Sequence, residues 1–206
     1  MTTSAGVLYY IHDPMCSWCW AFRPVQLQLR EHLPEGILWK NVLGGLAPDN
    51  DQPMPDSTRR MVQDHWRRIQ TSVGTEFNFD FWKTCQPRRD TYKACRAVIA
   101  ASYQYAEEAM IEAIQRAYYL RAMNPSEPKT LVKLASELGL NGLRFEEDFS
   151  SLQTDAELRR QLILRSELNV TSFPSLVLEC GSARSVIAHD YLDYRLTLAE
   201  IQSHCR

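Results

Sequence analysis

The chain has 206 residues, 45% of them hydrophobic and 23% charged, with a formal net charge of −2. That length buries a sizeable core without disulfide staples, and the composition excludes wholesale disorder and a fibrous class. A slightly acidic chain has no bulk attraction to nucleic acid or anionic lipid, and no apolar run approaches transmembrane length.

The opening "MTTSAGVLYYIHDP" carries no Lys or Arg ahead of a short apolar stretch that ends in His12 and Asp13, so it does not read as a secretory leader. The expected location is the cytoplasm, where thiols stay reduced. Residues 6 to 12 are β-branched and aromatic, as a buried strand would be. Trp18, Phe22, Val25, Leu29 and Leu33 then follow at helical spacing and predict a helix over 17 to 33. "ILWKNVL", residues 37 to 43, reads as a second strand, and a strand-helix-strand unit of this kind implies a parallel pair. Gly44, Gly45 and the loop "APDNDQPMPDS" close the unit.

From Ser57 to about Glu167 the pattern is helical. Val62, Trp66, Ile69 and Val73 share one face and Gly74 supplies a stop; further helices are predicted over 91 to 105, 107 to 122, 129 to 138 and 154 to 167. "FPSLVLEC" (173 to 180), a turn at Gly181 and "SVIAHDY" predict a hairpin, and "TLAEIQSHC" predicts a last helix capped by Thr197. The order is β-α-β, helical block, β-β-α, with no repeat or low-complexity linker.

"DPMCSWCWAF", residues 13 to 22, places Cys16 and Cys19 at the predicted strand-to-helix junction. A cysteine in the first turn of a helix feels unpaired backbone N–H groups and the positive end of the dipole, which favour thiolate over thiol. Cys16 is the expected nucleophile. Cys19, about one turn further on, is placed to attack a mixed disulfide formed at Cys16 and release the reduced partner. Met15, Trp18, Trp20 and Phe22 would surround the pair with apolar surface suited to extended polypeptide. Two blander readings are packing cysteines and a zinc site. A C-x-x-C at such a junction weighs against the first. The second lacks both a second C-x-x-C and an H-x3-5-H.

In "NVTSFPSLVLE", residues 169 to 179, Pro174 opens a strand, where proline is tolerated, and X-Pro is the bond type that can be cis. Elsewhere, Cys95 sits among apolar helical residues and reads as core rather than as a redox partner of Cys85. Cys180 alternates inward with Leu178 and Leu176, and Cys205 reads as exposed and idle. The run "RRMVQDHWRR" (59 to 68) fits the solvated face of an amphipathic helix better than a nucleic-acid surface. A Cys-His hydrolase would recruit His12 or His189 as base, and no local signature orients either.

Taken together, D-P-x-C-x-x-C-W, the helical insertion, "ACRAVIAA" (94 to 101) and V-T-x-F-P before the terminal hairpin resemble the DsbA-like branch of the thioredoxin superfamily over nearly the whole chain. The resemblance is nearest to bacterial members described as predicted protein-disulfide isomerases. It implies an α/β, thioredoxin-like domain from residues 1–47 and 168–206, with an all-helical insertion over 48–167. It implies a thiol-disulfide oxidoreductase in which Cys16 attacks, Cys19 resolves, Pro174 is a cis-proline facing the dithiol, and the Phe173 backbone pairs with bound peptide. The expected partners are protein thiols and disulfides, with no cofactor, no metal, no nucleic acid and no membrane. Ser17-Trp18 lacks the histidine of the best-known oxidant of the branch, which implies a less oxidising couple, and His12 is a candidate substitute for that imidazolium. Two alternatives stand beside this reading: a glutathione-dependent thiol transferase or isomerase on small molecules, with glutathione as co-substrate, and a non-catalytic polypeptide-binding or adaptor module.

Overall fold

The run that reads as a buried strand is β1 (Gly6–His12), an inner strand of a four-stranded sheet in the computed structural model, which describes residues 6–204. The sheet order is β2-β1-β3-β4, with β2 (Ile37–Leu43), β3 (Ser175–Cys180) and β4 (Ala183–Ile187). β1 pairs parallel to β2, with Leu8 opposite Trp39, and antiparallel to β3, with Leu8 opposite Leu178. The crossover between the parallel strands is α1 (Ser17–Glu31). One sheet face packs Leu8, Tyr10 and Leu178 on Phe22, Val25 and Leu29 of α1 and on Ile201 of α9 (Tyr194–His204). The other packs Tyr9, Ile11 and Val177 against Leu168 and Val170. Coverage on both faces is why β1 is apolar throughout instead of alternating.

The helical block comprises α2 (Asp56–Val73), α3 (Phe81–Thr84), α4 (Tyr92–Ser102), α5 (Glu107–Tyr119), α6 (Pro128–Glu137), α7 (Gly142–Phe149) and α8 (Leu152–Glu167). Its centre on the dithiol side is Trp66, fully buried, with the rings of Trp82, Phe77 and Tyr119 at 4.9, 5.0 and 5.3 Å. This aromatic core holds α1 in place. Trp20 stacks on Tyr119 at 5.8 Å and donates its indole N–H to the Glu76 carbonyl at 3.1 Å, while Arg23 pairs with Glu112 at 3.1 Å. The thioredoxin-like sheet and the helical block therefore meet along the helix that carries both cysteines.

Several predicted elements differ at their ends. α7 was not predicted, although Asn141 caps it by accepting the Arg144 N–H at 3.1 Å. α9 begins at Tyr194, so Thr197 is not its cap; its buried hydroxyl instead accepts the Asp190 N–H at 3.0 Å and closes the preceding turn. β4 starts at Ala183 and stops at Ile187, so "AHDY" is outside the sheet. α1 ends two residues short of Leu33, just before Pro34, whose missing N–H and steric demands on the residue ahead of it end helices. Cys180 is half-buried at the edge of the sheet core, and Cys205 lies outside the described residues.

Gly44 is the point at which β2 leaves the sheet, its N–H held by the His12 carbonyl at 2.6 Å. A Cβ there would sit 2.2 Å from Cε1 of Phe173, so the glycine makes room for that ring. Gly44→Ala is expected to destabilise the fold by about 1–3 kcal/mol through this overpacking, measured by urea denaturation. Adding Phe173→Leu should recover part of the loss, because the shorter side chain vacates the contested space.

Candidate active site

Cys16 caps α1. Its backbone is extended (φ −84°, ψ 119°), its N–H donates to the Asp13 carbonyl at 3.0 Å, and its carbonyl accepts the Trp20 N–H at 3.0 Å. Its thiol donates to the Phe173 carbonyl at 3.5 Å, which joins the strand-to-helix junction to the segment entering β3. The Phe173–Pro174 peptide bond is cis. Cys19, in the first turn of α1, lies behind Cys16: it has no exposed surface, whereas Cys16 keeps 7%. Both are free thiols.

Burial pushes the Cys19 thiol well above the ordinary cysteine range, and its hydrogen bond to Cys16 and the charge of Cys16 push in the same direction. The Tyr10 and Tyr191 hydroxyls beside the pair are also raised, by burial first and then by the two sulfurs. Trp18 meets Tyr191 edge-on at 5.1 Å, and the Arg68 guanidinium lies over the Trp18 ring at 5.9 Å. Met15 is buried, its N–H donating to Asp13 Oδ1 at 2.8 Å.

Cys16 opens onto a cleft of about 260 Å³ that Met15, Trp18 and Phe173 line together. The structure thus brings five of the sequence-predicted residues into one place: Cys16 and Phe173 in contact, Met15 and Trp18 beside them, and Cys19 beneath. The opposite wall was not predicted. It comes from the helical block, chiefly Met61 and His65 of α2 and Arg88 and Arg89 of the loop before α4. Residues 59 to 68 form an amphipathic stretch of α2 as read, with Trp66 and, just beyond it, Ile69 in the core; the difference is that Met61, Val62 and His65 line the cleft. The available signal was the pair Arg88-Arg89 immediately ahead of a helix.

His12 is fully buried and stacks on Tyr10 at 4.8 Å, with interplanar angle 3°. Burial lowers its pKa to about 4, so near neutral pH it is uncharged and does not supply the imidazolium suggested for it. His189 packs against Phe22 and Tyr191 at 4.9 and 5.3 Å. Cys95 donates to Asp13 Oδ2 at 3.7 Å and Cys85 to the Ala122 carbonyl at 3.1 Å, so these two sulfurs serve different neighbours. Among the described residues, no three His, Cys, Asp or Glu side chains are grouped as a metal ion would require.

A family model described as thioredoxin matches residues 9–186. The chain belongs to the thioredoxin family. Within the family its fold, a thioredoxin-like sheet with a helical insertion, follows a protein from Nitrosomonas europaea provisionally described as a protein disulfide isomerase: 29% identity, 97% of each chain covered, TM-score 0.83. It also follows the cytosolic disulfide reductase DsbM from Pseudomonas aeruginosa, with 26% identity over 96% of this chain and 94% of that one, TM-score 0.73. DsbM has also been solved with GSH, and that structure matches at 25% identity and TM-score 0.71. DsbA from Xylella fastidiosa shares the fold at 13% identity and TM-score 0.61. Among curated proteins, the ClpXP adapter protein SpxH of Halalkalibacterium halodurans is 22% identical over 176 residues, 82% of this chain. The chain spans 57% of the length of that relative. No described helix of this thioredoxin-family chain is long and apolar enough to cross a membrane.

Two measurements follow from the site. Alkylation of the reduced protein near neutral pH, read by mass spectrometry, should modify Cys16 roughly tenfold or more faster than Cys19, because only Cys16 reaches the cleft and burial holds Cys19 protonated. Acid should also destabilise the fold through His12. Its folded pKa of about 4 lies below the ordinary 6.5, so the unfolded chain takes up the proton first and stability falls as pH drops from 6.5 toward 4. The loss is on the order of 3 kcal/mol. His12→Phe keeps the stack on Tyr10 without the proton, and urea denaturation across this window should show the wild type losing that much relative to the variant. Asp13, whose pKa burial raises, titrates in the opposite sense and is common to both proteins.

Proposed function

We propose that the protein is a thiol-disulfide oxidoreductase working in the reducing direction through Cys16 and Cys19. The Cys16 thiolate attacks one sulfur of a substrate disulfide, the substrate S–S bond breaks, and one thiolate leaves. Cys19, giving up its proton, attacks the Cys16 sulfur and expels the second thiolate. Two electrons pass to the substrate, and Cys16 and Cys19 are left as a disulfide, which a thiol reductant such as glutathione returns to the dithiol. The observation that carries this reading is the asymmetry of the pair: Cys16 faces a cleft with its thiol on the Phe173 carbonyl, and Cys19 is sealed behind it. The reducing direction and a thiol-reducing compartment are supported by likeness to DsbM, a cytosolic disulfide reductase, and glutathione as reductant by the structure of that protein with GSH. In this reading Met15, Trp18 and Phe173 form the substrate-facing surface, and Pro174, next in the chain to Phe173, is buried and outside the cleft lining.

A second reading, an adaptor that binds polypeptide without redox chemistry, is favoured by the likeness to SpxH. Cys19→Ser separates the two. With no resolving thiol, Cys16 should accumulate mixed disulfides from cell extract at ~10-fold or more above wild type, released by reductant. If Cys16 is reduced and alkylatable yet captures nothing, the redox reading fails. If Cys16→Ser/Cys19→Ser retains full activity in cells, the adaptor reading replaces it.

A further inference from the structure

The cleft above Cys16 has a charge that the chain as a whole does not. The protein carries a formal net charge of −2, yet Arg88 and Arg89 line the cleft and Arg68 lies over Trp18 at its edge. Among the described residues, neither Arg88 nor Arg89 has a carboxylate within ion-pair distance, whereas most surface arginines of the helical block do: Arg96 with Asp49 at 2.5 Å, Arg121 with Glu137 at 2.7 Å and Arg160 with Glu157 at 2.6 Å. The one acidic side chain in the lining, Asp90, is buried and ion-paired to Lys93. Both arginines are half-buried, which limits the water available to their guanidinium groups. A guanidinium is a planar fork of donors that matches a carboxylate, and a cleft lined by one sign of charge raises the local concentration of the other.

We infer that the cleft selects disulfides that carry carboxylates close to the reacting sulfur, with Arg88 and Arg89 as specificity-determining residues. The inference rests on the thiol-disulfide reading above and adds the substrate class. While Cys16 bonds to the substrate sulfur, the neighbouring carboxylate bonds to the guanidinium pair on the facing wall, orienting the leaving thiolate along the cleft. The carboxylate comes either from a small thiol of the glutathione kind or from an acidic stretch of protein. Met61 and Met15 supply the apolar part of the contact in both cases.

The test is a charge ladder in single turnover. Pre-reduced protein, freed of reductant, is mixed with oxidised glutathione (anionic), hydroxyethyl disulfide (neutral) or cystamine (cationic), and the rate of Cys16 consumption is followed by quench and mass spectrometry. Each rate is divided by that of a free dithiol on the same compound, which removes intrinsic reactivity. The normalised rate for oxidised glutathione should exceed that for hydroxyethyl disulfide by ~10-fold and that for cystamine by more, and the preference should shrink as salt is raised. Arg88→Gln/Arg89→Gln should bring the anionic-to-neutral ratio close to one. Peptide disulfides flanked by Glu or by Lys form a second arm: a Glu-flanked peptide faster than oxidised glutathione identifies a protein segment as the source of the carboxylate, and the reverse identifies a small thiol. Equal normalised rates across the ladder, or cystamine as the fastest, overturn the inference and leave the redox reading standing. No reaction with any of the disulfides removes both. If the double variant does not fold, the ladder on the wild-type protein alone still decides.

Discussion

A carboxylate sealed from water at the end of β1 holds the dithiol turn in place. Asp13 has no exposed surface, and among the described residues no Lys, Arg or His pairs with it. Its oxygens instead accept the Met15 N–H at 2.8 Å, the Leu46 N–H at 2.6 Å, the Thr91 hydroxyl at 2.6 Å and the Cys95 thiol at 3.7 Å. Those donors belong to the turn before α1, the loop after β2 and the start of α4. Burial raises its pKa while the donors pull it back down, so the cost of a desolvated acid is offset by directed hydrogen bonds. Its backbone carbonyl also receives the Cys16 N–H. One residue therefore fixes where α1 begins, where the cleft wall stands, and how far Cys16 lies from Phe173.

This arrangement explains why the helical block belongs to the site. The sheet and α1 alone supply Cys16, Cys19 and the Phe173 carbonyl, which is one side of a cleft. The facing side comes through Thr91 and Asp13 from the loop that carries Arg88 and Arg89, and through Trp66 and its aromatic neighbours from α2. Trp20 on Tyr119 and Arg23 on Glu112 then tie the cysteine-bearing helix to the same block. The thioredoxin-like part places the two cysteines, and the insertion supplies the wall that faces them.

The position of the cysteine pair between strand and helix was legible in the sequence because its signals are local. β1 and β2 follow the residues read as strands, and C-x-x-C at the strand-to-helix junction is a short-range pattern that needs no tertiary information. Asn141 was an equally local signal for α7, but a preceding Gly and a short apolar pattern obscured it. What could not be read was convergence. Whether Met61, His65, Arg88 and Arg89 face solvent or a cleft depends on how Trp66 packs against residues 77 to 119, and helical periodicity alone gives the same pattern for both. Thr197 failed for a related reason: its capping chemistry is real, but it is spent on the turn at Asp190 inside the helix rather than at its start.

The electrostatics of the pair also bear on the order of events in the proposed exchange. Cys19 keeps its proton because it is buried and because Cys16 stands next to it; burial is the larger cause, and the hydrogen bond and charge of Cys16 come after it. Tyr10 and Tyr191 close the low-dielectric surroundings without adding charge, since their hydroxyls stay protonated. Once Cys16 is bonded to a substrate sulfur it carries no negative charge and no longer opposes ionisation of Cys19. Burial still does, so Cys19 becomes easier to deprotonate but remains shielded from bulk solvent. In the proposed exchange the first covalent step thus eases ionisation of Cys19 only once substrate is attached, and it is the substrate disulfide that takes up the two electrons when Cys16 and Cys19 join.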